Sequence, residues 1–238
     1  MPRDSHLERV IVAIDGPAGA GKSTVARRLA KELGYMYMDT GAMYRAFAWD
    51  VLQKGLDLQN EVGLRKVLDE TMVNLVEKGG RLRVRLNGLD VTDKIRTPEL
   101  SQMASRLSSL RAVRERMVGL QRDMGKQGGV VAEGRDIGTV VFPRAEVKIY
   151  LEASEQERAR RRYQELEAEG KKVTLEETLE EMIERDRRDQ ERAISPLCKA
   201  EDAIVIDSTS LEVDSVVQRI MEAVKKKIAD KNKSNTGE

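Results

Sequence analysis

The sequence contains few of the residues on which several common kinds of catalysis depend. Among its 238 residues there are one cysteine, Cys198, and one histidine, His6, and aromatic residues make up only 3%. A single cysteine excludes a disulfide within the chain and favours a reducing compartment. The only histidine lies in a polar lead-in of nine residues, so the sequence offers no His/Cys or Ser/His catalytic set.

The sequence also lacks an excess of either charge and has no long apolar run. Lys and Arg number 42 against 41 Asp and Glu, so the chain lacks the electrostatic footprint of a nucleic-acid-binding protein. No apolar stretch reaches 18 residues, and the run at residues 10 to 14 is too short for a signal sequence. We expect a cytoplasmic protein that binds neither membranes nor nucleic acid, in which locally placed arginines bind any anion.

One stretch of the sequence carries a specific signal. The motif G-x-x-x-x-G-K-[ST] is matched at every fixed position by Gly16, Pro17, Ala18, Gly19, Ala20, Gly21, Lys22 and Ser23. A β-branched apolar run precedes it, and an amphipathic helix from Thr24 to Leu33 is predicted after it. This context predicts a phosphate-binding loop that holds a nucleoside triphosphate. Lys22 would reach the β- and γ-phosphates, and the Ser23 hydroxyl would ligate Mg²⁺.

Short apolar runs that alternate with helical patterns predict the fold. Strands are expected at residues 10–14, 35–39, 128–133, 147–151 and 203–206. Such alternation indicates a doubly wound parallel sheet of five strands, in an α/β fold of the P-loop NTPase class. A helix carrying Arg45 is expected to begin just beyond Gly41. The tail from Lys225 to Glu238 is expected to be frayed.

Two segments do not fit the parallel core. The strict alternation of Arg81–Leu86, followed by Asn87-Gly88, predicts an antiparallel hairpin. Its three arginines could form a basic patch, although a solvated strand face is the favoured interpretation. Residues 152–192 are highly charged and predict two helices with little apolar surface, which suits a mobile lid. We therefore divide the chain into a P-loop core (1–63, 101–153 and 193–238), a small α+β insertion (64–100) and an Arg-rich helical lid (154–192).

A Gly-Arg-Asp turn, residues 134–136, directly follows the third predicted strand. The carboxyl ends of parallel strands are where open α/β sheets bind ligands. Arg135 and Asp136 could instead pair with each other and cap the turn. Because of its position we favour ligand binding.

Taken together, four segments resemble the bacterial cytidylate kinase family, which belongs to the P-loop nucleoside monophosphate kinases. They are residues 14–23, residues 39–45 (DTGAMYR), residues 133–143 (EGRDIGTVVFP), and residues 185–189 (RDRRD) leading to Arg192. The resemblance runs from about Val10 to Ala223. Two positions depart from the family pattern: Thr40 stands where some relatives carry Ser, and Glu133 is a strand-end Glu rather than Asp.

The resemblance implies an enzyme that transfers the γ-phosphoryl group of ATP to CMP or dCMP, with Mg²⁺, and that works as a monomer. Lys22, Arg135 and Arg192 are the expected catalytic residues. Expected on the ATP side, besides the loop itself, are Thr24, Arg158 and Arg162. The residues expected to bind CMP are Thr40, Arg45, Ser105, Arg114, Arg135, Asp136, Arg185, Asp189 and Arg192. Of these, Ser105, Arg114 and Asp136 would face the cytosine, and Arg185 and Asp189 the sugar.

The physical chemistry of phosphoryl transfer agrees with this interpretation. The acceptor is already an anionic oxygen, so the protein must supply alignment and charge neutralisation rather than a nucleophile. Two alternatives stay open. One is a kinase for another small acceptor, such as UMP, AMP or a hydroxylated metabolite. The other is a nucleotide switch of the GTPase type, against which stands the lack of an Asn-Lys-x-Asp guanine motif.

Overall fold

The computed structural model describes residues 9–236, so the lead-in that contains His6 lies outside the described residues. The strands are β1 (Ile11–Asp15), β2 (Met36–Asp39), β3 (Val73–Lys78), β4 (Arg81–Leu86), β5 (Leu89–Asp90), β6 (Val130–Gly134), β7 (Val147–Glu152) and β8 (Ile204–Asp207). The α-helices are α1 (Lys22–Leu33), α2 (Thr40–Gln53), α3 (Glu61–Glu70), α4 (Pro98–Leu107), α5 (Arg111–Gly125), α6 (Glu155–Ala168), α7 (Leu175–Glu191) and α8 (Val213–Thr236). A short π-helix (Ile137–Val141) lies between β6 and β7.

The central sheet has five parallel strands in the order β2-β6-β1-β7-β8. This confirms the predicted doubly wound parallel sheet. Its middle strand is buried on both faces, with Val12, Ala13 and Ile14 fully inaccessible. Both-sided burial explains why this strand is a continuous β-branched apolar run rather than an alternating one.

Helices cover both faces of the sheet. On one face, Leu29 of α1 and Ile220 of α8 join the core of β1 and β7. On the other face, Val118 of α5 packs in a cluster with Ala13 of β1. Phe47 of α2 and Met117 of α5 form a further cluster with the three-stranded sheet of β3, β4 and β5. With α1 beginning directly at the carboxyl end of β1, the phosphate-binding sequence is placed at the edge of the sheet where ligands bind.

Two helix boundaries differ from the sequence expectations. Helix α2 begins at Thr40, before Gly41, because the Asp39 carboxylate caps it by accepting the Ala42 N–H at 2.7 Å. The predicted fraying from Lys225 onward is wrong for residues 225–236. Helix α8 continues through these residues, Ile228 packs against the core, and Lys231 pairs with Glu146 at 2.6 Å.

The antiparallel hairpin is confirmed, and it is part of a three-stranded sheet in the order β3-β4-β5. Asn87 has a φ of 49° and Gly88 a φ of 85°, as the tight turn requires. Strand β3 was not predicted. On the arginine face, Arg83 lies 3.8 Å from Asp90 and 3.6 Å from Asp93, which favours an ion-paired, solvated face over a basic patch.

The two charged helices of the expected lid, α6 and α7, lie against each other and against the phosphate loop. Ala159 and Met182 pack on Ala18 of the loop. A buried pair, Arg158 and Asp186, joins the two helices, and Asp186 also accepts the Ala18 N–H at 3.0 Å. The lid therefore contacts the loop through a few apolar and charged groups. Its mobility stays a prediction.

Candidate active site

A cavity of about 1050 Å³ opens at the carboxyl edge of the central sheet. The phosphate loop forms one end, and the ends of α4 and α5 with residues 134–136 form the other. Helices α6 and α7 and the connection from β8 to α8 close its sides. The volume lies at the upper end of the usual range for ligand pockets.

Glycines allow the phosphate loop to adopt its path. Gly16 has a φ of 146°, and a Cβ on it would come within 2.0 Å of the Leu151 carbonyl oxygen. Gly21 has a φ of 89° and directly precedes α1. The first turn of α1 holds no acidic side chain of its own, so its free N–H groups and the positive end of the helix dipole are available to an anion. This is a backbone site for an anion.

Lys22 lies at the base of this loop. It is 6% exposed, and its ammonium donates to the Pro17 carbonyl. Burial, and next the positive charge of Arg135, lowers the pKa of Lys22 to about 7. A polyphosphate in the loop would supply the anionic partner that this buried cation requires.

Ser23 lies beside a carboxylate. Its hydroxyl donates to Glu133 Oε2 at 3.0 Å, while the Tyr37 hydroxyl donates to Glu133 Oε1. Burial raises the pKa of Glu133, and Asp39 adds to this effect. Within residues 9–236 there is no cluster of three or more His, Cys, Asp or Glu side chains that could hold a metal. One hydroxyl and one carboxylate suit Mg²⁺, which takes few protein ligands beside phosphate oxygens and water.

At the far end of the cavity, Arg114 and Asp136 form a buried ion pair. Both side chains are at least 93% buried, since their exposed fractions are 3% and 7%. Burial raises the pKa of Asp136, whereas the charges of Arg114 and Arg192 oppose that shift. The Tyr44 ring lies 6.0 Å from the Arg114 guanidinium carbon. A charged pair of donor and acceptor in so dry a place is suited to reading the polar edge of a base.

A second pair joins residues 134–136 to the lid. Arg135 Nε donates to Asp189 Oδ2 at 3.0 Å, and Ser105 Oγ donates to Asp189 Oδ1 at 3.2 Å. Burial opposes ionisation of Asp189, but Arg135, Arg185 and Arg192 outweigh it and lower its pKa. This carboxylate therefore stays charged and fixes Arg135 in the middle of the cavity.

Two further arginines of the lid region have unused donors. Arg185 Nε is buried without a hydrogen-bond partner among the described residues, and burial and Arg135 lower its pKa to about 10. Arg192 donates to the Ser195 carbonyl and, at 3.2 Å, to Ser108 Oγ, yet its Nη2 has no hydrogen-bond partner in residues 9–236. The nearest carboxylate oxygen to Arg192 Nη2 is Asp136 Oδ1 at 3.8 Å, an ion pair beyond hydrogen-bond distance. An anionic ligand would provide both arginines with a hydrogen-bond acceptor.

Arg45 and Thr40 lie at the start of α2. Arg45 Nη2 is 3.3 Å from Asp39 Oδ2. The Thr40 hydroxyl donates to the Glu133 carbonyl at 2.7 Å and is thus committed to the backbone. Arg45 is the more available of the two for a ligand.

Most of the predicted site residues come together. The lining includes Ala18, Gly19, Ala20, Gly21, Lys22, Ser23, Thr24, Thr40, Arg45, Ser105, Arg114, Arg135, Asp136, Arg162, Arg185, Asp189 and Arg192. Gly16 and Pro17 belong to the loop but do not line the cavity. Arg158 also lies outside this lining: its guanidinium donates to the Ala18 and Ala153 carbonyls and to Asp186. Its contact with ATP stays a prediction.

Sequence reasoning missed Arg161. Its guanidinium donates to the Ser208 carbonyl at 2.7 Å and to Ser208 Oγ at 3.2 Å, and Ser208 in turn donates to the Ala20 carbonyl at 3.1 Å. The connection at residues 208–213 lines the same end of the cavity. No local signal distinguishes Arg161 from the neighbouring arginines of α6, because only the docking of that helix turns it toward Ser208.

The parallel sheet and the phosphate loop define the class of protein, an α/β nucleotide-binding protein of the P-loop type. A solved structure with this architecture, an uncharacterized protein from Eubacterium ventriosum, superposes with a TM-score of 0.50 at 16% identity. The superposition covers 91% of this chain and 99% of that chain. This likeness concerns the fold alone. None of the helices within residues 9–236 is long and apolar enough to cross a membrane.

The particular family follows from sequence comparison. A profile described as cytidylate kinase matches residues 12–226. The cytidylate kinase of Pelotomaculum thermopropionicum is 55% identical over 214 residues, which cover 90% of this chain and 95% of the relative. That of Bacillus subtilis is 50% identical over 220 residues, which cover 92% and 98%. The chain belongs to the cytidylate kinase family.

Proposed function

We propose that this chain transfers the γ-phosphoryl group of ATP to CMP or dCMP, which yields ADP and CDP or dCDP. The observation that carries the proposal is a single cavity with a backbone anion site at one end and the buried Arg114–Asp136 pair at the other. Arg135 lies between the two, held by Asp189. This arrangement suits two nucleotides whose phosphates meet in the middle.

On the donor side, the loop N–H groups from Gly19 to Ser23 bind the phosphates of ATP, and Lys22 neutralises the β- and γ-phosphates. Ser23 would hold Mg²⁺ directly, and Glu133 is close enough to the Ser23 hydroxyl to act through a ligand water. The metal supplies charge neutralisation on the phosphate oxygens. Arg158, Arg161 and Arg162 flank this side on the lid.

On the acceptor side, Asp136 and Arg114 read the cytosine edge with help from Ser105. Cytosine has an amino donor beside its N3 and O2 acceptors, which matches a carboxylate next to a guanidinium. Uracil would instead turn a carbonyl toward the carboxylate, a mismatch of about 1–3 kcal/mol. Arg185 and Asp189 serve the sugar, and Arg45, Arg135 and Arg192 hold the phosphate of CMP.

The transfer itself needs no protein nucleophile. A phosphate oxygen of CMP attacks the γ-phosphorus in line, and the bond to the bridging oxygen of ADP breaks. Lys22, Arg135 and Arg192 stabilise the charge of the transferring group, since arginine can hold two phosphate oxygens at once. The Arg-rich lid (154–192) excludes water, and the insertion (64–100) supports the acceptor side. A monomer suffices, because one chain supplies every residue assigned.

The proposal is tested by measuring ADP formation from ATP with CMP, dCMP, UMP or AMP as acceptor, with an ATP-only control. We expect rates with CMP and dCMP far above those with UMP and AMP. Equal or faster rates with UMP or AMP would assign another acceptor. No acceleration by any monophosphate would remove the kinase assignment and leave only the nucleotide-binding loop.

A further inference from the structure

The π-helix is the least regular element of the site, and it directly follows the two residues assigned to CMP. Its N-cap residue is Asp136, whose carbonyl accepts the N–H groups of Val140 at 2.8 Å and Val141 at 3.1 Å. π-helices are rare and occur mostly as short segments at functional sites. The position of this helix therefore fixes the position of Arg135 and Asp136.

The N-cap carboxylate does not cap its own helix. Asp is favoured at N-caps because its side chain accepts the first free N–H groups of a helix. Within the described residues, however, Asp136 makes no side-chain hydrogen bond to the π-helix and instead pairs with Arg114 in the cavity. The first N–H groups of the helix thus need another acceptor.

Asp15, the last residue of β1, supplies that acceptor. Its Oδ1 accepts the Ile137 N–H and its Oδ2 the Gly138 N–H, both at 2.7 Å. The fit leaves little space: a Cβ on Gly138 would come within 3.4 Å of Asp15 Oδ2 and 3.1 Å of Lys148 Cδ. The two carboxylate oxygens of Asp15 therefore cap the π-helix, a role that the N-cap side chain ordinarily has.

The other end of the π-helix is also held by a charged side chain from outside. Arg122 of α5 donates from Nε to the Val141 carbonyl at 3.0 Å and from Nη2 to the Val140 carbonyl at 2.6 Å. Cations are favourable at helix C-termini, and anions at N-termini. Asp15 and Arg122 therefore satisfy both ends of one five-residue helix.

We propose that Asp15 is a positioning residue for acceptor recognition: by capping the π-helix in place of Asp136, it leaves the Asp136 carboxylate free for Arg114 and the base. Arg122 assists by holding the far end. The inference rests on the proposed function, since it takes cytosine as the ligand that Asp136 reads. It predicts that Asp15 acts on the acceptor although the phosphate loop begins at the next residue.

Burial gives independent support. Asp15 is 5% exposed, and burial raises its pKa to about 6, while the Gly138 and Ile137 N–H groups oppose that rise. A desolvated carboxylate at this place costs stability at neutral pH. Strongly perturbed pKa values cluster at functional sites.

The test uses Asp15→Asn and Asp15→Ala, with Asp50→Asn as a matched control. Asp50 is another buried carboxylate, paired with Lys54 and outside the cavity lining. Measured quantities are the Kd of CMP and of ADP by calorimetry and the ratio of kcat/KM for CMP over UMP. For Asp15→Asn, which keeps one acceptor oxygen, we expect CMP binding to weaken about tenfold and the ratio to fall about as much. We expect a larger loss of CMP binding in Asp15→Ala and a smaller loss in Arg122→Ala. The Kd of ADP should change less than twofold in each variant.

Three results would overturn the inference. One is CMP binding and a CMP/UMP ratio within twofold of wild type in Asp15→Asn. Another is an equal loss of ADP and CMP binding, which would mean that Asp15 supports the phosphate loop. The third is the same loss in Asp50→Asn, which would indicate a general effect of destabilisation. If the wild-type chain phosphorylates no monophosphate, the proposed function fails first, and that outcome is distinct from all three.

Discussion

The donor end of the cavity is one continuous stretch of chain, whereas the acceptor end is assembled from several distant segments. Residues 18–24 line the donor end with consecutive backbone N–H groups and one lysine. The acceptor site takes side chains from α2, α4, α5, residues 134–136, α7 and residue 192. In the proposed function, the donor end binds phosphate, which every nucleoside triphosphate shares, and the acceptor end reads a base.

The two ends also differ in what holds them in place. Gly16 packs against the Leu151 backbone, so the loop is fixed by close contact of main chain with main chain. The acceptor side chains hold one another, as in the Arg135–Asp189 and Arg114–Asp136 pairs. Damage to the donor end should therefore stop all transfer, and damage to the acceptor end should alter which acceptor is used.

The largest effect is expected from Lys22→Ala. Losing the only loop cation should lower kcat by about 10³-fold or more, because charge on the transferring phosphoryl group is no longer neutralised. Calorimetry should still detect CMP binding, since the acceptor end is untouched. Retained turnover would contradict the assignment of the donor end.

Arg135→Ala tests the middle of the cavity. In the proposed function Arg135 pairs with the phosphate of CMP, and loss of one partner of such a buried pair costs about 2–5 kcal/mol, which corresponds to a loss of roughly 30- to 5000-fold in kcat/KM. The circular dichroism spectrum should match that of wild type. A near-normal rate would remove Arg135 from the site, and Arg83→Ala, at an exposed ion pair of the small sheet, serves as the control.

Asp15, which lies between the phosphate loop and the π-helix, should make the free energy of unfolding depend on pH. Asp15 has a pKa of about 6 in the folded chain against an ordinary value of 3.8, so its neutral form stabilises the fold below pH 3.8. That stabilisation is lost as the pH rises to about 6. The free energy of unfolding of wild type should thus fall by roughly 3 kcal/mol relative to Asp15→Asn across this range. The charged groups that face Asp15 are Asp136, Lys22 and, across Gly138, Lys148.

Urea denaturation of wild type and Asp15→Asn at pH values from 4 to 8 measures this difference. Other titrating groups are common to both proteins and cancel. A difference that stays constant with pH would contradict the raised pKa of Asp15.

The smallest of these effects should be confined to the base. Asp136→Asn replaces one acceptor oxygen with a donor, so the preference for CMP over UMP should fall by about 1–3 kcal/mol, or roughly 5- to 150-fold. The ratio of kcat/KM values for the two acceptors measures it, and the KM for ATP should hardly change. An unchanged ratio with an altered KM for ATP would place Asp136 on the wrong side.

The difference between the two ends also decides what could be predicted from the sequence. The phosphate loop was predictable because its chemistry lies in consecutive residues, and the five strands because their short apolar runs alternate with helical patterns. The acceptor residues were named through family resemblance, since nothing local joins Arg114 to Asp136. The continuation of α8 had a signal that was overlooked, because Ile220, Val224 and Ile228 keep helical spacing.

Other features required the packed structure. Arg158 and Arg161 are both on α6, and only the docking of that helix shows that Arg158 is turned toward Asp186 and Arg161 toward Ser208. Strand β3 contains Asn74, Glu77 and Lys78, so its composition does not predict a strand. Its backbone hydrogen bonds come from pairing with β4. The use of Asp15 as a cap depends on two elements that are 122 residues apart.

The central claim is that one end of the cavity takes the triphosphate and the other reads cytosine. A crystal structure with CMP and a non-hydrolysable ATP analogue tests it most directly. We expect the cytosine amino group within hydrogen-bond distance of Asp136, and the β- and γ-phosphates inside the loop beside Lys22. Cytosine bound away from the Arg114–Asp136 pair, or both nucleotides bound at the same end, would contradict it.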